Sequence, residues 1–259
     1  MLNNLSASPV KAVLFDQDDT LFDHLYSTRQ GLLAVCQAYP FFQQHPIETL
    51  FADYARLIEE MHIHVLEGRL SKDEARRERF RRFFLLHGPA TEDLANAVEH
   101  GARLYRETYQ ASRQTVAGAV ELLECLHRNV KIAVVTNNVR NEQVEKLHKL
   151  HLDHLIDELV TSEETGSIKP DPLIFHVALE RIGCRADEVV MIGDSWKSDI
   201  LGATQAGIRA IWLNRTGSAC PDPALALELA SLEPLEIALD AILAGQCADR
   251  DGLSEEWCR

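Results

Sequence analysis

The sequence predicts an α/β fold, a doubly wound parallel sheet with a helical bundle inserted after the first strand. Three observations lead to this prediction. Five short, mostly apolar runs each end in polar residues, a pattern typical of strands buried on both faces. Helical stretches separate these runs, and strands that alternate with helices form parallel sheets through right-handed crossovers. One long stretch between the first and second runs contains helix-like segments only.

The predicted strands and helices follow one another in a regular order. The first strand is KAVLFD at 11–16, and four further runs repeat its form at 131–137, 157–162, 188–194 and 209–214. The helices between these strands are predicted at 116–128, 139–151, 172–183 and 198–206, the last of them closed by Gly207 and opened by Ser198 as its cap.

The predicted insertion interrupts this order, with helix-like segments at 22–38, 46–66, 72–87 and 92–111. Ser71 and Glu74 have the spacing of a capping box, and Thr91 followed by two acidic residues favours the start of the fourth helix. The insertion holds all five tyrosines and seven of the nine phenylalanines, enough apolar material for its own core. We therefore predict an α/β core of residues 1–21 and 113–259, a helical bundle of residues 22–112, and a loosely held tail after Gln246.

The composition of the chain argues against two kinds of partner, nucleic-acid polymers and membranes. The chain has 259 residues, 46% of them apolar, and a formal net charge of −14, which argues against binding to a nucleic-acid polymer. No stretch approaches the roughly 20 apolar residues that span a bilayer, and residues 1–10 lack the charged start and apolar core of a signal peptide. We therefore expect a cytoplasmic monomer or homodimer that does not bind membranes.

Three carboxylates follow the first predicted strand, in the order Asp16-Gln17-Asp18-Asp19. Parallel sheets bind ligands just beyond the carboxyl ends of their strands. In an extended segment residues i and i+2 project to the same side, so Asp16 and Asp18 can face one ligand. Their mutual repulsion would be relieved by a hard cation with oxygen ligands, and Mg²⁺ is our prediction. The alternative is an acidic loop that caps the next helix.

Further polar residues follow the other predicted strands. Thr136 and Asn137 end the second strand and could bind an anion or cap a helix. Lys169 precedes Pro170, which favours an extended backbone at the lysine, although a single lysine can equally be a surface residue. Asp194 follows the fourth strand, and Asp199 lies five residues later, where it could also serve as a first-turn acid. The parallel topology brings these strand ends to one edge of the sheet.

Together these residues resemble the four motifs of the haloacid dehalogenase-like hydrolase superfamily: DxDxT at Asp16, the strand-terminal Thr136, Lys169 within KPDP, and GDSxxxD at Asp194. The helical insertion resembles the C1 cap of that family. The resemblance spans roughly residues 11–214. Within the superfamily, the sequence is most similar to small-metabolite phosphatases such as N-acylneuraminate-9-phosphatases and related nucleotidases. It implies a Rossmann-like core, an enzyme that is a phosphatase, and a small phosphorylated metabolite as substrate.

The resemblance also implies a role for each site residue. Asp16 is the expected nucleophile, which forms an aspartyl-phosphate, and Asp18 is the expected general acid and base. Mg²⁺ is expected on the Asp16 carboxylate, the Asp18 main-chain carbonyl and the Asp194 carboxylate, with Asp199 ordering a coordinated water. The phosphoryl oxygens are expected on Thr136, the Asn137 backbone and Lys169.

Two residues depart from the family pattern: Asn138 stands where glycine is common, and Asp19 stands where asparagine or glycine is common. We expect Asn138 to adopt a left-handed conformation. Substrate choice is expected to reside in the cap, with His24, Tyr26 and Arg29 as candidates. The basic stretch 69–82 is expected to be a solvated helix face. A phosphomutase and a non-catalytic phosphoacceptor or binding module remain alternatives to the phosphatase.

Overall fold

The computed structural model describes residues 8–89 and 93–244. The chain divides into two compact units after Asp23 and after Gln114. We call residues 24–114 the helical unit and the rest of the chain the α/β unit. The predicted helix start at Thr91 and the predicted tail after Gln246 both lie outside the described residues.

The α/β unit is built on one sheet of six parallel strands, in the order β3-β2-β1-β4-β5-β6. The predicted α/β fold is therefore confirmed. In chain order the strands are β1 Ala12–Phe15, β2 Lys131–Thr136, β3 Glu158–Thr161, β4 Val189–Gly193, β5 Arg209–Leu213 and β6 Leu227–Leu229. The short β6 is not among the predicted strands, because its sequence Leu-Glu-Leu has no sustained apolar run.

Both faces of the sheet are covered by apolar residues, as expected for strands without a solvent face. Alternate residues of β1 enter opposite layers: Val13 and Phe15 join one apolar cluster, and Ala12 and Leu14 join the other. All four side chains are fully buried. Because β1 pairs with both β2 and β4, it lies in the interior of the sheet, where its carboxyl end has a neighbour on each side.

Helices cover these two faces. In the α/β unit they are α5 Ala119–His127, α6 Arg140–Lys149, α7 Ser162–Thr165, α8 Pro172–Ile182, α9 Leu201–Gln205 and α10 Leu235–Leu243. A π-helical turn, Trp196–Ile200, precedes α9. The prediction that Ser198 caps this segment is wrong: the cap is Ser195, whose Oγ accepts a hydrogen bond from the Ser198 N–H at 3.2 Å.

The helical unit contains the four helices expected of the insertion, α1 His24–Ala38, α2 Ile47–Leu66, α3 Lys72–His87 and α4 Leu94–Ala111. The predicted capping box is present at α3: the Glu74 N–H donates to Ser71 Oγ at 3.2 Å, and the Ser71 N–H donates to the Glu74 carboxylate at 2.8 Å. Helix α4 packs against α1 and α3, and α3 packs against α2. In the described residues no helix has the length and apolar character needed to cross a membrane.

Aromatic side chains form the interior of the helical unit. Six of them are at most 4% exposed and pack against one another in stacked, tilted or edge-to-face pairs: Phe42, Tyr54, Phe80, Phe83, Phe84 and Tyr105. A glycine lets α1 approach α4 closely, because a Cβ at Gly31 would lie 2.7 Å from the Tyr105 ring. Aromatic contact of this kind gives a small bundle a large apolar area from few residues.

Candidate active site

The carboxyl ends of β1, β2 and β4 place the predicted site residues at one edge of the sheet. Asp16 directly follows β1, Thr136 ends β2, and Asp194 directly follows β4. The backbone N–H of Asp16 donates to the carbonyl of Ile192 on β4 at 2.9 Å, which extends the β1–β4 pairing to the aspartate itself. The edge predicted from the strand pattern is therefore the place where these residues meet.

Lys169 lies at the centre of this edge, and its side chain is only 2% exposed. Its Nζ donates to Asp16 Oδ1 at 2.6 Å, to Asp199 Oδ1 at 2.7 Å and to the Val135 carbonyl at 2.7 Å. Burial alone lowers the pKa of a lysine, but the two carboxylates more than offset that effect and raise the pKa of Lys169. Lys169 is therefore a buried cation and not a surface lysine.

Three carboxylates form a cluster in which one oxygen from each of Asp16, Asp194 and Asp199 lies within 4.8 Å of the others. Burial, opposed by Lys169, raises the pKa of Asp16 to about 7. Burial and the neighbouring carboxylates raise the pKa of Asp194 to about 9. Carboxyl groups that are this close and this dry are stabilised in their ionised forms by a cation.

The carboxylates of this cluster are suitable ligands for Mg²⁺. The cluster offers only oxygen donors, which Mg²⁺ prefers, and their mutual repulsion is the cost that a divalent cation removes. Asp199 differs from the other two acids because both of its oxygens have protein partners: Oδ1 accepts from Lys169 and Oδ2 accepts from the Ser195 N–H at 3.0 Å. That difference favours Asp16 and Asp194 as direct ligands.

Gly193 leaves room for the Asp199 carboxylate, because it has no side chain. A Cβ at position 193 would lie 2.3 Å from Asp199 Oδ2, which is too short for a non-bonded contact between carbon and oxygen. The π-helical turn 196–200 brings Asp199 back over the end of β4, and π turns are frequent at functional sites. The glycine of the GDSxxxD motif is thus required by contact with its last aspartate.

Asp18 has its own set of contacts, with two residues of helix α6 and with Asn138, which precedes that helix. Its Oδ1 accepts from Lys146 Nζ at 2.6 Å, and its Oδ2 lies 3.3 Å from Gln143 Nε2 and 3.4 Å from Asn138 Nδ2. The side chains of Gln143 and Lys146 are almost fully buried. Neither residue is among the site residues that the sequence predicts. The available signal was two polar residues at i and i+3, a spacing that places them on one face of a helix.

The two residues at the end of β2 have different contacts. Thr136 Oγ1 accepts a hydrogen bond from Gln143 Nε2 at 3.0 Å. The side chain of Asn137 bonds the main chain of Lys169 twice: its Nδ2 donates to the Lys169 carbonyl at 2.9 Å, and its Oδ1 accepts from the Lys169 N–H at 2.7 Å. The Asn137 side chain therefore fixes the segment that carries the buried lysine.

The backbone of the site is left-handed at Asp19 and not at Asn138, where we expected it. Asn138 does not adopt a left-handed conformation, since the described non-glycine residues with positive φ are Asp19 at 64° and His151 at 57°. Asn138 instead accepts a hydrogen bond from the Val139 N–H through its own Oδ1 at 2.9 Å. Asp19 takes the left-handed position, and Arg215 Nη1 donates to its carbonyl at 3.2 Å. Aspartate and asparagine are the side chains that tolerate this conformation best after glycine.

Arg29 and His24, which we expected to select substrate, have contacts within the helical unit. The Arg29 guanidinium lies 4.1 Å from the centre of the Phe51 ring and pairs with Glu48 at 3.0 Å. His24 Nδ1 lies 2.8 Å from the Tyr109 hydroxyl. Tyr26 is 38% exposed.

Comparison with known proteins identifies the family. The model of the haloacid dehalogenase-like hydrolases matches residues 10–207. The human N-acylneuraminate-9-phosphatase is 27% identical over 229 residues, which cover 82% of this chain and 86% of that protein. The glyceraldehyde 3-phosphate phosphatase of Methanothermobacter thermautotrophicus is 42% identical over 93 residues, so the match covers 36% of this chain and only 41% of that protein.

A solved structure supports the same fold. The structure of the HAD-hydrolase YfnB of Bacillus subtilis bound to magnesium is 26% identical in sequence and superimposes with a TM-score of 0.70, covering 90% of this chain and all of that one. The site is thus that of a hydrolase with an acidic, lysine-containing centre at the end of a parallel sheet. The chain belongs to the haloacid dehalogenase-like hydrolases. The resemblance inferred from the four motifs, to this family and its phosphatases, is confirmed.

Proposed function

We propose that the protein is a magnesium-dependent phosphatase that hydrolyses a small phosphate monoester through an aspartyl-phosphate intermediate on Asp16. The observation that carries the proposal is the buried Asp16 carboxylate, which has one oxygen on Lys169 and lies in one cluster with Asp194 and Asp199. The family and the phosphatases among its relatives support the same reaction class.

In the first half of the reaction, a carboxylate oxygen of Asp16 forms a bond to phosphorus while the bond from phosphorus to the ester oxygen breaks. Asp18 donates its proton to that oxygen, which leaves as an alcohol. In the second half, water attacks the same phosphorus and Asp18 takes up its proton. The bond to Asp16 then breaks, which releases inorganic phosphate and restores the carboxylate.

Three groups bind the phosphoryl oxygens in this proposal: the Thr136 hydroxyl, the Asn137 backbone N–H and the Lys169 ammonium. Donors that are already in place stabilise the developing charge without reorganisation. Lys169 meets this condition, because the Val135 carbonyl holds its Nζ and the Asn137 side chain holds its main chain.

The proposed Mg²⁺ ligands are the Asp16 and Asp194 carboxylates and the Asp18 main-chain carbonyl, with Asp199 acting through a coordinated water. When bound, Mg²⁺ neutralises charge on the phosphoryl oxygens and orients the group for displacement. Lys169 contributes a second positive charge from the protein itself, paired with both Asp16 and Asp199.

We assign substrate choice to the helical unit, acting as a cap, since every residue given a chemical role belongs to the α/β unit. The proposed substrate is a small phosphorylated metabolite and not a nucleic-acid polymer or a membrane lipid surface. The net charge of −14 supports this choice, because it opposes association with polyanions.

The test is a panel of phosphorylated metabolites with Mg²⁺, with Ca²⁺ or with excess EDTA, monitored by release of inorganic phosphate. We expect hydrolysis with Mg²⁺, little with Ca²⁺, which favours larger and looser coordination, and none with EDTA. Asp16→Asn should abolish turnover, because an amide cannot act as the nucleophile. Asp187→Asn, which changes an exposed carboxylate of the same unit, is the matched control.

The same panel separates the alternatives. A phosphomutase would convert a sugar phosphate to its isomer with little release of phosphate. A phosphoacceptor module would form one equivalent of stable phosphoprotein and then stop. Full activity of Asp16→Asn, or full activity in EDTA, would contradict the proposed mechanism.

A further inference from the structure

Helix α6 presents a buried lysine to the proposed general acid and base. The Lys146 side chain is only 1% exposed, its Nζ lies 2.6 Å from Asp18 Oδ1, and the same Nζ lies 5.0 Å from the centre of the Phe22 ring. Withdrawing a lysine from water is costly, and an opposite charge at hydrogen-bond distance is what offsets the cost. A lysine on the exposed face of α6 would not have this cost of desolvation. The buried position of Lys146 therefore depends on its contact with Asp18.

One helical turn earlier, Gln143 links the same carboxylate to the proposed phosphate-binding residue. Its Nε2 lies 3.0 Å from Thr136 Oγ1 and 3.3 Å from Asp18 Oδ2. The side-chain amide nitrogen of Gln143 carries two N–H groups, so it can donate one hydrogen bond to each of these oxygens. Because Thr136 Oγ1 accepts this bond, its own proton is directed elsewhere and is available to a phosphoryl oxygen.

The backbone of Gln143 is tied to the Asp16–Asp18 segment as well. Gln17 is fully buried, and its Nε2 donates to the Gln143 carbonyl at 3.2 Å. The position of α6 relative to Asp18 is thus set by a main-chain contact and two side-chain contacts.

We propose that Gln143 and Lys146 form a positioning pair, which holds the carboxyl group of Asp18 for proton transfer and orients the hydroxyl of Thr136 toward the phosphoryl group. The inference rests on the proposed function and deepens it. Both residues act through their contacts with Asp18 and Thr136, and neither is assigned a contact with the ester. Their effect arises because general acid–base catalysis requires the proton donor to lie within hydrogen-bond reach of the leaving oxygen.

The test of Lys146 uses the leaving group as the probe. Lys146→Met retains the length of the side chain and removes its charge. Lys149→Met, on the exposed face of the same helix, is the matched control. Single-turnover rapid quench would measure formation of the phosphoenzyme from p-nitrophenyl phosphate, whose leaving group needs no proton, and from glycerol 2-phosphate, whose alkoxide does.

We expect Lys146→Met to slow phosphoenzyme formation from glycerol 2-phosphate by about 10- to 100-fold, part of the usual contribution of acid–base catalysis. The rate with p-nitrophenyl phosphate should change less than about threefold. KM should be nearly unchanged for both esters. In an Asp18→Asn background, Lys146→Met should have no further effect, because the group that it positions no longer transfers a proton.

Gln143→Met is the second variant and has a different signature. It removes the donors to both Asp18 and Thr136, so it should lower kcat for glycerol 2-phosphate and raise KM for both esters. If Lys146→Met does not fold, this variant and Lys146→Arg, which restores the charge, still test the pair, with Lys146→Arg expected to recover most of the leaving-group dependence.

Equal losses with the two esters, or no loss in a folded Lys146→Met, would overturn the inference while leaving the proposed function in place. Failure of the proposed function has a different outcome, since the wild-type protein would then hydrolyse neither ester or would be unaffected by Asp16→Asn. In that case the proposed positioning role of Gln143 and Lys146 would also be wrong.

Discussion

The two units of the molecule use charged side chains in opposite ways. At the edge of the sheet, the partners Lys169 and Asp199 are 2% and 1% exposed. On helix α3 of the helical unit, the partners Arg81 and Glu78 are 49% and 26% exposed, although their contact of 2.7 Å is the same length. Distance alone therefore does not distinguish the buried ion pair of the candidate site from one that lies in a solvated helix face.

What distinguishes them is the cost of desolvation. An exposed pair is weakly stabilising, whereas a buried pair is expensive to form and is weak evidence for stability by itself. Burial raises the pKa of Asp16 to about 7. Hydrogen bonds from Arg81 and, to a smaller extent, from Arg82 lower the pKa of Glu78 to about 2. The α/β unit therefore carries a strained charge cluster, and the helical unit carries a relaxed one.

The largest expected effect comes from removing the buried cation. Lys169→Met should lower kcat by about 10²–10³-fold, as expected for loss of one transition-state donor. It should also lower the melting temperature, since two buried carboxylates lose their partner. Steady-state kinetics with the best panel substrate and thermal unfolding would measure both effects.

The control for this variant is Lys11→Met in the same unit. Lys11 pairs with Glu188 at 2.7 Å, but its side chain is 56% exposed. Its removal should leave kcat unchanged. Wild-type kcat in Lys169→Met would show that burial of an ion pair is not a guide to function here.

The sheet edge that holds the candidate site and the helices of the insertion could both be predicted from the sequence. The apolar runs and the rule that parallel strands bind ligands at their carboxyl ends predicted the edge where Asp16, Thr136 and Asp194 meet. The capping box at Ser71 and most boundaries of the four inserted helices were accessible because they depend on residues close in sequence.

Contacts that depend on the register of a helix against a loop were not accessible. Gln143 and Lys146 meet Asp18 across more than 120 residues of sequence, and a pattern of two polar residues does not show which loop they face. The conformation of Asn138 was predicted wrongly for a related reason. Its side chain satisfies the next backbone N–H, so the loop needs no left-handed residue there.

A smaller effect is expected from pH in the absence of metal. Asp16 and Asp194 have folded-state pKa values of about 7 and about 9, above their ordinary value of 3.8. Between 3.8 and these values the folded protein holds protons that the unfolded chain has released. The stability from these groups is therefore full below pH 3.8 and is lost as pH rises toward 7 and 9.

With EDTA present, the melting temperature should thus be lower at pH 9 than at pH 6, and Mg²⁺ should reverse the loss by binding the ionised carboxylates. One unit of pKa corresponds to about 1.4 kcal/mol, so the change is measurable. Lys169 stays protonated in both states over this range. Asp194→Asn should flatten the slope, and an unchanged slope in that variant would contradict the assignment to this cluster.

The smallest effect is expected in the helical unit. Arg82 pairs with Glu78 one turn before it on α3 and with Glu60 on α2, and its side chain is 38% exposed. Because water solvates these groups in the unfolded chain almost as well, Arg82→Gln should change the free energy of unfolding by less than about 1 kcal/mol in urea titrations and should leave kcat unchanged. The difference from wild type should shrink further in 0.5 M NaCl, since salt screens exposed charges. A loss larger than that of Lys169→Met would mean that the network between α2 and α3 is a structural centre of the helical unit, and the contrast between a strained and a relaxed charge cluster would have to be abandoned.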